Sequence, residues 1–111
     1  MPYKDRQEIT VLLYLAYKKT QGYFYRIAES YGLAPAQLAA LKKLWENDGI
    51  KNTTLGEQLF LKTSTVTTLI DRMERDGLVY RERGRKDRRV VNIWLTEKGR
   101  GIKDEVPDIE S

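Results

Sequence analysis

The stretch Arg81-Glu82-Arg83-Gly84-Arg85-Lys86-Asp87-Arg88-Arg89 holds six basic and two acidic residues, a net charge of +4. The whole chain has 20 Lys and Arg against 16 Asp and Glu, so outside this stretch the two signs balance at 14 each. The excess positive charge is therefore concentrated at one place. Such a segment is typical of proteins that bind a polyanion, although it also fits a charged, solvated turn without a partner.

Two predicted strands flank this basic stretch. Leu78–Tyr80 precedes it and Val90–Leu95 follows it. Segments of β-branched and aromatic residues that are joined by a short glycine-containing segment predict a β-hairpin. We therefore expect a hairpin with a basic tip formed by Arg85, Lys86 and Arg88.

Two short helices are predicted immediately before the hairpin. The pattern of a capping box, Thr54 to Glu57, opens the first helix, which is expected over residues 55–60 with Leu55, Leu59 and Phe60 inward. A tight turn at residues 61–63 leads to a second helix from about residue 64 to 75. Two short helices joined in this way predict a helix-turn-helix, and the following hairpin makes it a winged helix.

The second helix of this unit has an apolar and a polar face. Val66, Leu69, Ile70 and Met73 are expected to be buried. Short hydroxyl side chains on the other face can bind base edges or phosphates, although Thr63 or Ser64 is also expected to cap the helix. The residues predicted to contact DNA on this helix are Ser64, Thr65, Thr67, Thr68 and Arg72.

The hairpin is expected to contact the same DNA. Its basic side chains, Arg85, Lys86, Arg88 and Arg89, are predicted to reach a minor groove or its phosphates. Asp87 either braces the tip by accepting hydrogen bonds from Arg89 or from turn N–H groups, or is simply a turn-forming residue.

The first 31 residues predict one long helix, over residues 5–31, that ends at Gly32. Apolar residues recur every three or four positions, and six of the seven tyrosines lie here. The apolar stripe is wider than one packing partner needs, so we expect Leu12, Leu13, Ala16 and Tyr17 to divide between the core and a second copy of the chain. After this helix, Pro35 is expected to open another helix, and residues 50–53 a short strand.

The composition excludes several classes of protein. The 111 residues contain neither Cys nor His, so disulfides, thiol chemistry, a zinc site and most nucleophile–base pairs are not expected. We expect no cofactor and no metal, and we consider an enzyme the weakest interpretation. No apolar run is long enough to span a membrane, and no signal peptide is visible, so a cytoplasmic location follows by default.

The segment from Thr54 to Gly99 resembles the MarR family of winged helix-turn-helix transcription regulators. Ser64–Glu74 resembles the recognition helix of the family, and Asp87-x-Arg89 followed by Leu95–Gly99 resembles its wing signature. The resemblance implies a mainly α (α+β) fold. Its expected parts are an N-terminal dimerisation helix over residues 1–31, a winged helix-turn-helix DNA-binding domain over 32–99, and the start of a C-terminal dimerisation helix over 100–111. Either that last helix is truncated, or the dimer relies on the first helix more than usual.

The resemblance also implies a function. Members bind a pseudo-palindromic DNA site as homodimers and are often released by a small ligand, so we expect a ligand-responsive repressor. The alternative is a winged helix that serves as a protein-interaction or assembly module without DNA. Without cysteine, the thiol-based peroxide-sensing mechanism of one branch is excluded for these residues, and Thr68 stands where the family often has a basic residue. By position, the residues expected at a ligand pocket are Tyr14, Tyr17, Tyr31 and Trp45, which alternatively fill an interface.

Overall fold

The computed structural model describes the backbone of residues 2–106 and the side chains from Arg6 onward. The chain forms two compact units, residues 1–35 and 36–111. The helices and strands follow in the order α1 (Pro2–Ser30), α2 (Pro35–Glu46), β1 (Ile50–Lys51), α3 (Asn52–Leu59), α4 (Thr63–Arg75), β2 (Val79–Arg83), β3 (Val91–Leu95) and α5 (Glu97–Glu105).

The first unit is dominated by α1, a helix of 29 residues that runs through Gly22 without interruption. It ends as predicted at Gly32, which adopts a φ of +69°. The N–H of Gly32 donates to the carbonyl of Glu29 at 3.0 Å, and that of Leu33 donates to the carbonyl of Ala28 at 2.9 Å. These bonds satisfy the last carbonyls of α1, and glycine adopts the required left-handed conformation without a side-chain clash.

Apolar side chains cover every side of α1 between Ile9 and Tyr17. The large ones among them are 54–66% exposed in the single chain. Four residues were predicted to divide between the core and a second copy of the chain. All four are exposed in the single chain, so the prediction that some of them lie in the core was wrong. Those residues are Leu12, Leu13, Ala16 and Tyr17.

The second unit has one apolar core. α2 contributes leucines at steps of three, which place them on one face of the helix. The largest side chains of this unit that are less than 2% exposed are Leu38, Leu41, Leu44, Leu55, Val66, Ile70, Met73, Leu78 and Ile93.

A three-stranded antiparallel sheet with the order β1-β3-β2 borders this core. Ile50 pairs with Ile93, and Val79 pairs with Leu95. The turn before β1 is fixed to β3, because the carboxylate of Asp48 accepts a hydrogen bond from the N–H of Leu95 at 2.8 Å. β1 has only two residues, since α3 begins at Asn52, so the predicted strand over residues 50–53 was too long.

Two predictions about α3 were wrong. Thr54 is the third residue of the helix, and the N-cap is Lys51, which makes no side-chain cap hydrogen bond. The pairing of β1 with β3 sets this start, so the predicted capping box does not form. Phe60 was expected to face inward, but it is the left-handed C-cap of α3, with a φ of 57°, and is 94% exposed.

Among the described residues, no helix combines the length and the apolar character that crossing a membrane requires.

Candidate nucleic-acid interface

α4, the second helix of the helix-turn-helix, presents a polar face to solvent. Its buried residues are the four predicted, Val66, Leu69, Ile70 and Met73. Burial of this stripe fixes the rotation of the helix, because residues three and four apart lie on one face. The five predicted DNA contacts are consequently all exposed: Ser64, Thr65, Thr67, Thr68 and Arg72.

The N-terminus of α4 has no side-chain cap. The N-cap is Lys62, whereas Thr63 and Ser64 are the first two residues of the helix, so the prediction that one of them caps it was wrong. The N–H of Val66 donates to the carbonyl of Lys62 at 3.0 Å and closes the first turn. The N–H groups ahead of it point out of the helix end, where phosphate oxygens are favoured as acceptors.

Two hydroxyls of the polar face already use their protons within the helix. Thr67 Oγ1 donates to the carbonyl of Thr63 at 3.0 Å, and Thr68 Oγ1 donates to that of Ser64 at 3.1 Å. Their oxygens remain available as acceptors. A base partner of either residue would therefore be a donor, such as the amino group that adenine or cytosine presents in the major groove.

A shallow groove of about 350 Å³ runs between α4 and the first turn of α2. Four of the five predicted contact residues line it, together with Leu69 and Ala36. Ala36 was not among the residues predicted to contact DNA, although the predicted start of α2 at Pro35 was correct. The groove is lined by Ala36, Ser64, Thr65, Thr68, Leu69 and Arg72.

The wing is the β2–β3 hairpin, and its loop is shorter than predicted. Arg81, Glu82 and Arg83 lie within β2, so the loop comprises residues 84–90. The N–H of Gly84 donates to the carbonyl of Val90 at 2.9 Å. A Cβ at Gly84 would lie 2.7 Å from the carbonyl oxygen of Asp87, so this tight closure requires glycine.

Asp87 and Arg89 form the internal contact of the wing. The Asp87 carboxylate accepts hydrogen bonds from the backbone N–H of Arg89 at 3.0 Å and from its Nε and Nη2 at 3.1 Å. The side-chain and backbone hydrogen bonds from Arg89 lower the pKa of the Asp87 carboxyl below its usual value of 3.8. The expected contact between these two residues is thus present, and Arg89 is partly neutralised.

The other cations of the wing differ in whether their side chains have a partner. Arg83 Nη1 donates to the carbonyl of Arg88 at 2.8 Å and so joins the two sides of the loop. Arg85, Lys86 and Arg88 are exposed, and their side chains form no ion pair with any residue that the structure describes. These three cations form the tip of the wing.

Two of the predicted pocket residues lie far apart within the first unit. Tyr14 and Tyr31, which follows the end of α1 directly, are 17 residues apart, about 25 Å at 1.5 Å per residue, which exceeds the span of a small-molecule pocket. Tyr17 is 61% exposed. The indole N–H of Trp45 donates to the carbonyl of Gly99 at 2.9 Å. A pocket with these residues stays a prediction.

Comparison with known proteins identifies the family. Residues 33–91 match the MarR family. The chain belongs to the MarR family. The resemblance deduced from the helix-turn-helix and wing residues is therefore confirmed, as is the mainly α fold with a small antiparallel sheet.

Curated MarR-type relatives cover most of the chain. The organic hydroperoxide resistance transcriptional regulator of Bacillus subtilis is 33% identical over 106 residues, which are 96% of this chain and 72% of the relative. The transcriptional repressor MdtR of the same organism is 34% identical over 92 residues, 83% of this chain and 59% of MdtR. The chain thus spans less than two thirds of the length of MdtR.

Solved MarR structures share the fold. A MarR family protein from Bacillus stearothermophilus has a TM-score of 0.82 and 35% identity, over 95% of this chain and 73% of that one. Reduced AbfR bound to DNA has a TM-score of 0.77 and 26% identity, over 95% of this chain and 76% of that one.

Proposed function

We propose that this MarR protein is a sequence-specific DNA-binding transcription regulator, a homodimeric and ligand-responsive repressor. The observation that carries the proposal is the combination of an exposed hydroxyl and arginine face on α4 with a wing tip of three cations that form no ion pair with the described residues. The names of its relatives, a transcriptional regulator and a repressor, support it, and so does the DNA-bound form of AbfR.

The two elements would have different tasks on DNA. The N-terminal half of α4 would enter the major groove, where Thr65 and Thr68 face base edges. The tip of the wing would reach the flanking minor groove or its phosphates, where arginine and lysine are favoured. Most of the affinity would come from the release of counterions by neutralised phosphates, and the hydroxyl contacts would supply the sequence preference.

The exposed part of α1 supports a homodimer. A helix that is apolar all round is normally buried, and an exposed apolar surface of this kind favours association. A second copy would cover it. Two recognition helices related by a two-fold axis would then read half-sites about one helical turn apart, as expected for a pseudo-palindromic operator.

The regulatory signal would differ from cysteine oxidation. One relative is named for organic hydroperoxide resistance, and AbfR has been solved in reduced, overoxidised and disulfide forms. These 111 residues contain no cysteine. A small effector in a pocket that two chains complete, near Tyr14, Tyr17, Tyr31 and Trp45, is the alternative that the family suggests.

The proposal is tested by a gel shift with DNA from upstream of the protein's own gene, followed by footprinting. We expect two protected half-sites about one helical turn apart and binding that weakens steeply with salt. Protection no stronger than on a shuffled duplex at low salt would refute sequence-specific binding. Sedimentation at micromolar concentration tests the dimer separately, and a monomer both alone and on DNA would refute it.

A further inference from the structure

Arg81 joins the wing to the recognition helix. It lies in β2, paired with Ile93 of β3. Its Nη2 is 2.8 Å from Asp71 Oδ1 and donates to the backbone carbonyl of Thr67 at 3.1 Å, and its Nη1 donates to the carboxylate of Glu74. One guanidinium therefore binds three acceptors, all of which belong to α4.

These acceptors form one line along α4. Thr67, Asp71 and Glu74 are spaced by four and three residues, so they lie above one another on one side of the helix. Arg81 thus spans two turns of α4 with a planar fork that has fixed donor directions. The Arg81 side chain is 27% exposed, against 57% for Asp71, so the cation of the pair is the more shielded from water.

Arg81 has little capacity left for DNA. Two carboxylates offset its charge, and both of its terminal amino groups already bind acceptors of α4. From these contacts we propose that Arg81 is a positioning residue, which holds the wing at a fixed angle to α4 so that both reach DNA at once. The inference rests on the proposed DNA-binding function.

The tip of the wing lies far from the turn that joins it to α4, so a small change in the angle between them displaces the tip considerably. The chain turns from α4 into β2 at Gly77, which has a φ of +75°. From there to Arg85 an extended strand reaches about 26 Å, at 3.3 Å per residue. A tilt of the hairpin by about 10° at the turn would move the tip by about 4–5 Å over that length, more than a hydrogen bond tolerates.

A double-mutant cycle tests the proposal with the intact chain. Arg81→Met is combined with the tip variant Arg85→Ala/Lys86→Ala, and the dissociation constant for the protected DNA is measured against salt. Arg81→Met should flatten the salt slope almost as much as the tip variant does, by about 0.9 for each phosphate that is no longer neutralised. The combined variant should bind little worse than the tip variant, because a displaced tip already fails to reach the phosphates that Arg85 and Lys86 would neutralise.

A matched control separates positioning from folding. Arg100→Met removes the same charge and another ion pair of the second unit, with Asp48 at 3.3 Å. It should leave the salt slope unchanged even if it lowers the melting temperature as much as Arg81→Met does. Additive effects of Arg81→Met and the tip variant on log Kd, or a slope that Arg81→Met leaves unchanged, would overturn the proposal.

Asp71→Asn gives an independent test in a milder variant. Removing an exposed negative charge from the DNA-binding surface should strengthen binding if only electrostatics matters. If Asp71 holds Arg81, the variant should instead flatten the salt slope and weaken binding at low salt. Tighter binding with an unchanged slope would refute the positioning role. The proposed function fails separately, if the unmodified protein itself does not bind DNA specifically.

Discussion

Neutralising the tip of the wing should reduce the salt dependence of DNA binding by an amount that the structure allows us to calculate. Arg85 and Lys86 are both exposed, and neither forms an ion pair within the described part of the chain. Replacing both with alanine therefore leaves no carboxylate without its partner and creates no cavity. The decrease in affinity should come only from the missing interactions with DNA.

The magnitude follows from counterion release. If each side chain neutralises one phosphate, the variant dimer neutralises four fewer phosphates than the unmodified dimer. The slope of log affinity against log salt should then fall by about 3.6, or 0.9 per phosphate. Between about 50 and 200 mM salt, the affinity of the unmodified protein should decrease about 150-fold more than that of the variant. If only one wing is engaged, the difference falls to about 12-fold.

Fluorescence anisotropy of a labelled duplex over this salt range measures the slope. Lys18→Gln/Lys19→Gln is the matched control, since it removes two adjacent exposed cations from α1 and changes the net charge equally. The control should keep the slope of the unmodified protein. An unchanged slope in the tip variant would remove the wing from the DNA interface, and an equal change in the control would mean that net charge alone sets it.

Three further predictions concern the recognition helix, the turn before it and the wing. Thr65→Ala should relax the sequence preference at a cost of about 1–3 kcal/mol if Thr65 contacts a base, and binding-site selection that returns the same preferred site would place recognition elsewhere. Phe60→Gly should raise the free energy of unfolding by about 0.5–1 kcal/mol, because glycine relieves the left-handed backbone and the side chain is 94% exposed; a lower urea midpoint would contradict this. Asp87→Asn should lower the melting temperature near neutral pH. Because folding lowers the pKa of Asp87, the stabilisation by its carboxylate is present above pH 3.8 and is lost as the pH falls through the lower folded-state pKa. The melting temperatures of the two proteins should therefore converge in strong acid, and a difference that persists there would contradict this role of Asp87.

The sequence predicted those features that local periodicity encodes. The apolar spacing of α4 located its buried face correctly, and the strand-forming segments around the basic stretch located the hairpin. The helix starts were less predictable. The pairing of β1 with β3 determines that α3 begins at Asn52, although Thr54 has the sequence pattern of a helix cap. The exposure of Phe60 was equally hidden, since it depends on the backbone conformation of the turn that joins α3 to α4.

The cations of the wing differ in their hydrogen-bond and ion-pair partners, which the sequence does not show. The sequence places Arg85, Lys86 and Arg88 at the tip of the hairpin, and the structure adds which partners the other three cations have. Arg81 is held by two carboxylates of α4, Arg83 binds a loop carbonyl, and Arg89 binds Asp87. Among the described residues, the side chains of Arg85, Lys86 and Arg88 have no hydrogen bond or ion pair that a phosphate would have to break, and breaking one would subtract from the affinity. In the proposed complex with DNA, the arginines with partners would set where the tip lies, and the three tip cations, which form no ion pair with a described residue, would set how strongly it is attracted to DNA.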